Sequence, residues 1–212
     1  MVEMQVEHRQ HLLYTKAWRA NDHADASIFG PPEELFKLLS AYCHQLTEVN
    51  PRTISTIKIN VVNQFEYMFI THATSLHRFH AVIRLVIAID GTHLKGKFSG
   101  IMFVAICLDA NNQVFPLAYG FDDVEDEMSW TWFLNELKNA IGSPKDCMII
   151  SDRHLGIKVA IEKVYPNVPY GCCVFHMAKK IKNDYKRKDV TFFSNKHGRQ
   201  TRNLNSRKRC WR

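Results

Sequence analysis

The chain has 212 residues, is 46% hydrophobic and carries a formal net charge of +7, which suits one substantial core with a smaller appended piece. Its longest apolar run, Ile101 to Leu108, is far short of the roughly 20 residues of a membrane helix, and the opening MVEMQVEHRQ lacks the apolar centre of a signal peptide. A soluble intracellular protein without a membrane partner is therefore expected. The charge is uneven: Met177 to Arg212 holds thirteen Lys or Arg against Asp184 and Asp189, so the preceding 176 residues are net negative.

Residues 1–80 read as a helical leader followed by a hairpin. In GPPEELFKLLSAYCHQL, Leu35, Leu38, Leu39, Tyr42 and Leu46 recur at helical spacing, with Pro31 and Pro32 suited to a first turn. TISTIKIN and QFEYMFITHA are rich in β-branched and aromatic residues and flank Val61, Val62 and Asn63, which predicts two antiparallel strands.

Residues 81–189 change rhythm and predict a mixed α/β domain. Three strand-like runs come first (RLVIAID, GIMFVAICLD and QVFPLAYGF), the second and third joined by a turn at Asp109–Asn112. In MSWTWFLNELKNAI, Trp130, Phe133, Leu134, Leu137 and Ile141 form one apolar helical face, which makes Trp130 and Trp132 packing residues rather than a base-stacking platform. CMIISDRH then repeats the pattern of a short apolar strand ending in aspartate, followed by an amphipathic helix on Ile157, Ala160, Ile161 and Val164 that Pro166 helps to stop. A short strand and another helix complete the zone.

Two apolar strands that each end in aspartate, lying side by side in one sheet, would bring Asp90 and Asp152 together. Paired carboxylates repel, and either a raised pKa or a shared divalent cation relieves them. Oxygen donors of this kind suit Mg²⁺ or Mn²⁺. The competing reading is two unrelated turn aspartates, and the residues alone leave both open.

The stretches AIDGTHLKGKFSG, LDANNQVFPLAYG, EMSWTWFLNELK, IISDRH and GCCVFHMAKKIK, in this order, resemble the catalytic domain of plant Mutator-like (MULE) transposases. KAWRA, GPPEELFKLL and NPRT extend the resemblance back to about residue 14. What it implies is an RNase H-like fold that uses two aspartates and a glutamate to hold divalent metal for DNA cleavage and strand transfer. By position, Asp90 and Asp152 match the two catalytic, metal-binding aspartates, and Cys173 and His176 match the family's Cys-x-x-His signature. Nuclear localisation, DNA as partner and an oligomer with a full-length transposase follow as expectations.

His93 and His154, close behind the aspartates, and Lys95 and Lys97 are candidate contacts to DNA phosphate, or else ordinary turn and surface residues. Cys173 and His176 are half of a zinc pattern with no second pair at finger spacing, which favours a structural contact. The sequence departs from the family after Glu162, its last glutamate. The third carboxylate is missing, and residues 190–212 read as a basic, disordered tail, with SRKRCWR a candidate import signal. The expected function is a transposase-derived DNA-processing domain, incomplete and inactive alone. The alternatives are a non-catalytic regulator of the far-red-response type and a relic product.

Overall fold

In the computed structural model, residues 14–30, 34, 37–62, 64–81, 86–95, 99–108, 113–144 and 147–185 are described. Lys97, the Asp109–Asn112 turn, the Pro31 and Pro32 helix start, Leu35 and the tail beyond 185 lie outside them. The chain divides into two compact units, Met1–Glu48 and Val49–Arg212. The first contains helices α1 (Tyr14–Phe29) and α2 (Leu39–Val49). The expected apolar face of α2 is narrow: Cys43 is buried, Leu39 and Leu46 are half-buried, and Leu38 and Tyr42 are exposed.

The second unit is a seven-stranded mixed sheet flanked by helices. Its elements run β1 (Ile54–Ile59), β2 (Phe65–Thr71), α3 (Ala73–Ala81), β3 (Val86–His93), β4 (Ile101–Leu108), β5 (Val114–Asp122), α4 (Glu127–Ile141), β6 (Met148–Ser151), α5 (Leu155–Val164), β7 (Tyr170–Cys172) and α6 (Val174–Tyr185). The strand order is β1-β2-β5-β4-β3-β6-β7. β3, β4 and β5 are antiparallel neighbours, whereas β6 and β7 run parallel to β3. This order agrees with the RNase H-like sheet that the resemblance implies.

The hairpin grouped with the leader by sequence belongs to this sheet. β2 pairs with β5 through Met68↔Phe121, Phe69↔Gly120 and Ile70↔Tyr119, so the division falls after residue 48 rather than near 80. An apolar hairpin with one face to bury gains more from extending a sheet than from standing alone.

Side chains alternate across the strands, so each transverse row lies on one face. The row Gly91–Phe103–Gly120–Phe69 meets α4, whose Trp130, Phe133, Leu134 and Leu137 are fully buried. Phe103 lies 4.4 Å from Trp130 and 5.7 Å from Phe133, centroid to centroid. Gly120 has a steric reason: a Cβ there would come within 2.5 Å of Phe133 Cδ2. Both tryptophans pack as expected, Trp130 in the core and Trp132 stacked on Tyr67 at 4.9 Å.

Capping fixes where α4 begins. Asp126 Oδ1 accepts from Ser129 N at 2.8 Å, and Ser129 Oγ accepts from Asp126 N at 3.0 Å, a reciprocal cap. Gly142, at φ 75°, ends the helix in the left-handed region that favours glycine. Five cysteines, Cys43, Cys107, Cys147, Cys172 and Cys173, are free. Burial pushes the Cys107 thiol up to about 12 and that of Cys147 to about 11, the behaviour of small core hydrophobes rather than reactive groups. No helix among the described residues is long and apolar enough to cross a membrane.

Candidate active site

β3 does not end at Asp90, as the sequence suggested, but continues three residues further. Asp90, Gly91, Thr92 and His93 pair with Val104, Phe103, Met102 and Ile101 of β4. The reason is one-sided pairing. On the other side the parallel ladder with β6 has Ala88↔Ile150 as its last pair, so from Asp90 onward only β4 supplies hydrogen-bond partners. Two residues beyond that last pair, the same register sets Asp90 beside Asp152, which immediately follows β6. Adjacent strands lie roughly 4.8 Å apart, and the two carboxylates feel each other: the Asp152 charge helps to raise the Asp90 pKa.

The larger cause of that rise is partial burial of Asp90, opposed by His176, by the Gly91 N–H and by Lys179. Asp90 lies in the row with Val104, Tyr119 and Ile70, on the face opposite α4. Helix α6 returns over this carboxylate, bringing His176 Nε2 to 3.7 Å from Asp90 Oδ2. His176 Nδ1 is buried without a hydrogen-bond partner. Lys179, one turn further on, shares that helix face. Asp90 Oδ1 accepts from Gly91 N at 3.1 Å, and Asp152 Oδ1 accepts from His154 N at 2.9 Å.

His93, His154 and Lys95 are exposed around the carboxyl ends of β3 and β6. His93 and His154 border an open cleft of about 640 Å³, whose other wall includes Asp123, Val124 and Glu125. His154 stands at the N-cap of α5 and makes no side-chain capping bond. Cys173 directly precedes α6, and its N–H donates to Ser151 O at 2.6 Å. The structure therefore ties the Cys-x-x-His segment to both aspartate strands.

Glu125 was not singled out by sequence, since it sits in an acidic loop without periodicity. Its Oε1 accepts from Trp130 Nε1 at 3.3 Å. A Cβ on Gly91 would fall 2.9 Å from the same oxygen and 3.2 Å from the Trp130 ring. The glycine after Asp90 is thus needed for close approach. Glu125 lies on the Gly91 side of the strand, away from Asp90.

Among the described residues no group of three His, Cys, Asp or Glu side chains is arranged to hold a metal ion. Asp90 and Asp152 nonetheless fit one hard cation, because Mg²⁺ is commonly held by one or two carboxylates, with substrate phosphate and water completing its shell. They do not make a two-metal site.

Residues 86–180 match the family model of the MULE transposase domain. The match begins at the first residue of β3 and ends inside α6, so this MULE-like segment contains both aspartates, Cys173 and His176, but not the leader. No curated protein matches the chain. Among solved structures, one similar chain belongs to a simian T-cell lymphotropic virus intasome in complex with PP2A regulatory subunit B56 gamma. It is 12% identical, covers 53% of this chain and 47% of its own, and has a TM-score of 0.33. This chain therefore spans about half the length of that one.

Proposed function

We propose that the chain is a transposase-derived DNA-processing domain that acts on nuclear DNA, with Asp90 and Asp152 as its ligands for one Mg²⁺ or Mn²⁺ ion. The observation that carries this reading is the register of β3 against β6, which brings the two aspartates together inside the segment matching the MULE transposase domain. When bound, such an ion polarises a phosphoryl oxygen and lowers the pKa of a coordinated water. The protein's own part is to set two carboxylates beside each other on neighbouring strands, with His176 and Lys179 favouring the ionised form of Asp90 against the larger effect of its burial. Lys95, His93 and His154 supply the surrounding contacts to DNA phosphate, which position the duplex without reading its sequence.

Among the described residues no third acidic side chain joins Asp90 and Asp152, so these residues by themselves hold one ion rather than two and support weak nuclease activity or none. Manganese binding by electron paramagnetic resonance tests the site: one ion is expected, lost in Asp90→Asn and in Asp152→Asn. Binding that survives both substitutions overturns the assignment. A nicking assay is expected at background, and turnover abolished by Asp90→Ala would show that two aspartates suffice. A non-catalytic DNA-associated regulator is the second reading, and it draws on His176, whose Nε2 stands 3.7 Å from Asp90 Oδ2 and so lies beside the carboxylate a metal would use. Failure of the wild-type chain to take up Mn²⁺ would select that reading.

A further inference from the structure

Asp152 is fastened by its main chain as well as by its carboxylate. Ser151 Oγ donates to the Asp152 carbonyl oxygen at 2.7 Å, and the Tyr170 hydroxyl donates to the same oxygen at 3.0 Å. The two hydroxyl oxygens are 3.1 Å apart, so two protons serve three oxygen contacts in a closed triangle. Ser151 is 1% exposed. Tyr170 reaches this point because β7 pairs with β6 in parallel register, Ile149 opposite Tyr170 and Ser151 opposite Cys172.

The chain leaving Tyr170 makes two further attachments. Cys173 N–H donates to Ser151 O at 2.6 Å, and three residues later His176 Nε2 stands 3.7 Å from Asp90 Oδ2. A single stretch of seven residues therefore touches the strand end of one carboxylate and the side chain of the other. A tyrosine that served only as packing would not need its hydroxyl aimed at the carbonyl of a ligand residue, and a Cys-x-x-His pattern that bound metal would need a second pair of donors.

We propose that Tyr170–His176 is a strap that sets the spacing and direction of the Asp90 and Asp152 carboxylates toward a divalent cation, with Tyr170 and Ser151 as positioning residues for Asp152. This rests on the reading of Asp152 as a metal ligand. In the strap Tyr170 acts through its hydroxyl, Cys173 through its backbone N–H and His176 through its ring. The arrangement gives the Cys-x-x-His segment a role that needs no metal of its own. Groups that orient ligands in this way commonly change metal affinity 10- to 100-fold when removed.

Tyr170→Phe in the full chain removes only the hydroxyl. Tyr165→Phe is the matched control, since the Tyr165 hydroxyl is buried without a partner. Two readouts apply: Mn²⁺ affinity, and hydrogen exchange at the His154 amide, which is bonded to Asp152 Oδ1. Tyr170→Phe is expected to weaken Mn²⁺ binding about ten-fold and to speed exchange at His154 several-fold, while Tyr165→Phe changes neither. Identical behaviour of the two variants in both readouts overturns the strap. A wild-type chain that binds no Mn²⁺ would overturn the metal reading instead, and exchange at His154 would then decide the strap alone.

Discussion

Asp122→Asn is expected to stabilise the protein at neutral pH and to leave it unchanged in acid. Asp122 closes β5, where burial pushes its carboxyl from the ordinary 3.8 up to about 6. The Asp123 and Val124 N–H groups pull it down, while the Asp123 and Asp126 charges add to the rise. Unfolding returns the group to its ordinary value. An acid that is harder to ionise when folded contributes stability below about pH 4, and that contribution disappears as the pH rises through about 6. At 1.36 kcal/mol per pH unit the ceiling is about 3 kcal/mol. Asp122 is only half-buried, so solvent screening reduces the expectation to about 1–2 kcal/mol. Asparagine keeps Oδ1 as the acceptor for Asp123 N at 2.6 Å, so the turn survives the change. Urea unfolding at pH 4 and pH 7.5, followed by near-ultraviolet circular dichroism, measures the difference. An advantage equal at both pH values, or a loss at pH 7.5, would refute the electrostatic account.

Gly120→Ala should destabilise by about 1–3 kcal/mol, because its Cβ collides with the Phe133 ring; a thermal midpoint equal to wild type would contradict the packing. Asp126→Ala removes the side-chain acceptor from the reciprocal cap of α4 and should cost about 1 kcal/mol in urea unfolding. Cys173→Ala should leave exchange at the His154 amide unchanged, because the bond from residue 173 to Ser151 is made by the main chain; acceleration as large as in Tyr170→Phe would give the thiol a part.

The strands around the site were legible because LVIAID and MIISD each combine an apolar run with a carboxylate that a core does not accept unpaired. What periodicity does not carry is pairing. Nothing in QFEYMFITHA says that its partner will be VFPLAYGFD, some fifty residues on, so sequence pattern alone does not place the hairpin in this sheet. The α3 segment ATSLHRFHA carries little apolar periodicity, because it buries little more than Ser75 and Phe79. His176 lies 86 residues after Asp90, and their contact exists only through a parallel crossover, a helix and a further strand. The end of β3 is hidden from the sequence for the same reason: a charged residue ends the apolar run at Asp90, but β4 still offers hydrogen bonds as far as His93.

The parallel register of β3 with β6 makes the site a matter of parity. Successive side chains alternate between faces, so a shift of one residue would send one carboxylate to the α4 side and leave the other behind. Loss or gain of a single codon within LVIAID or MIISD would therefore separate the aspartates while leaving a sheet with much of its apolar content. A change of two would return them to one face. One small step is therefore enough to part the two carboxylates, and restoring the pair requires the count to become even again.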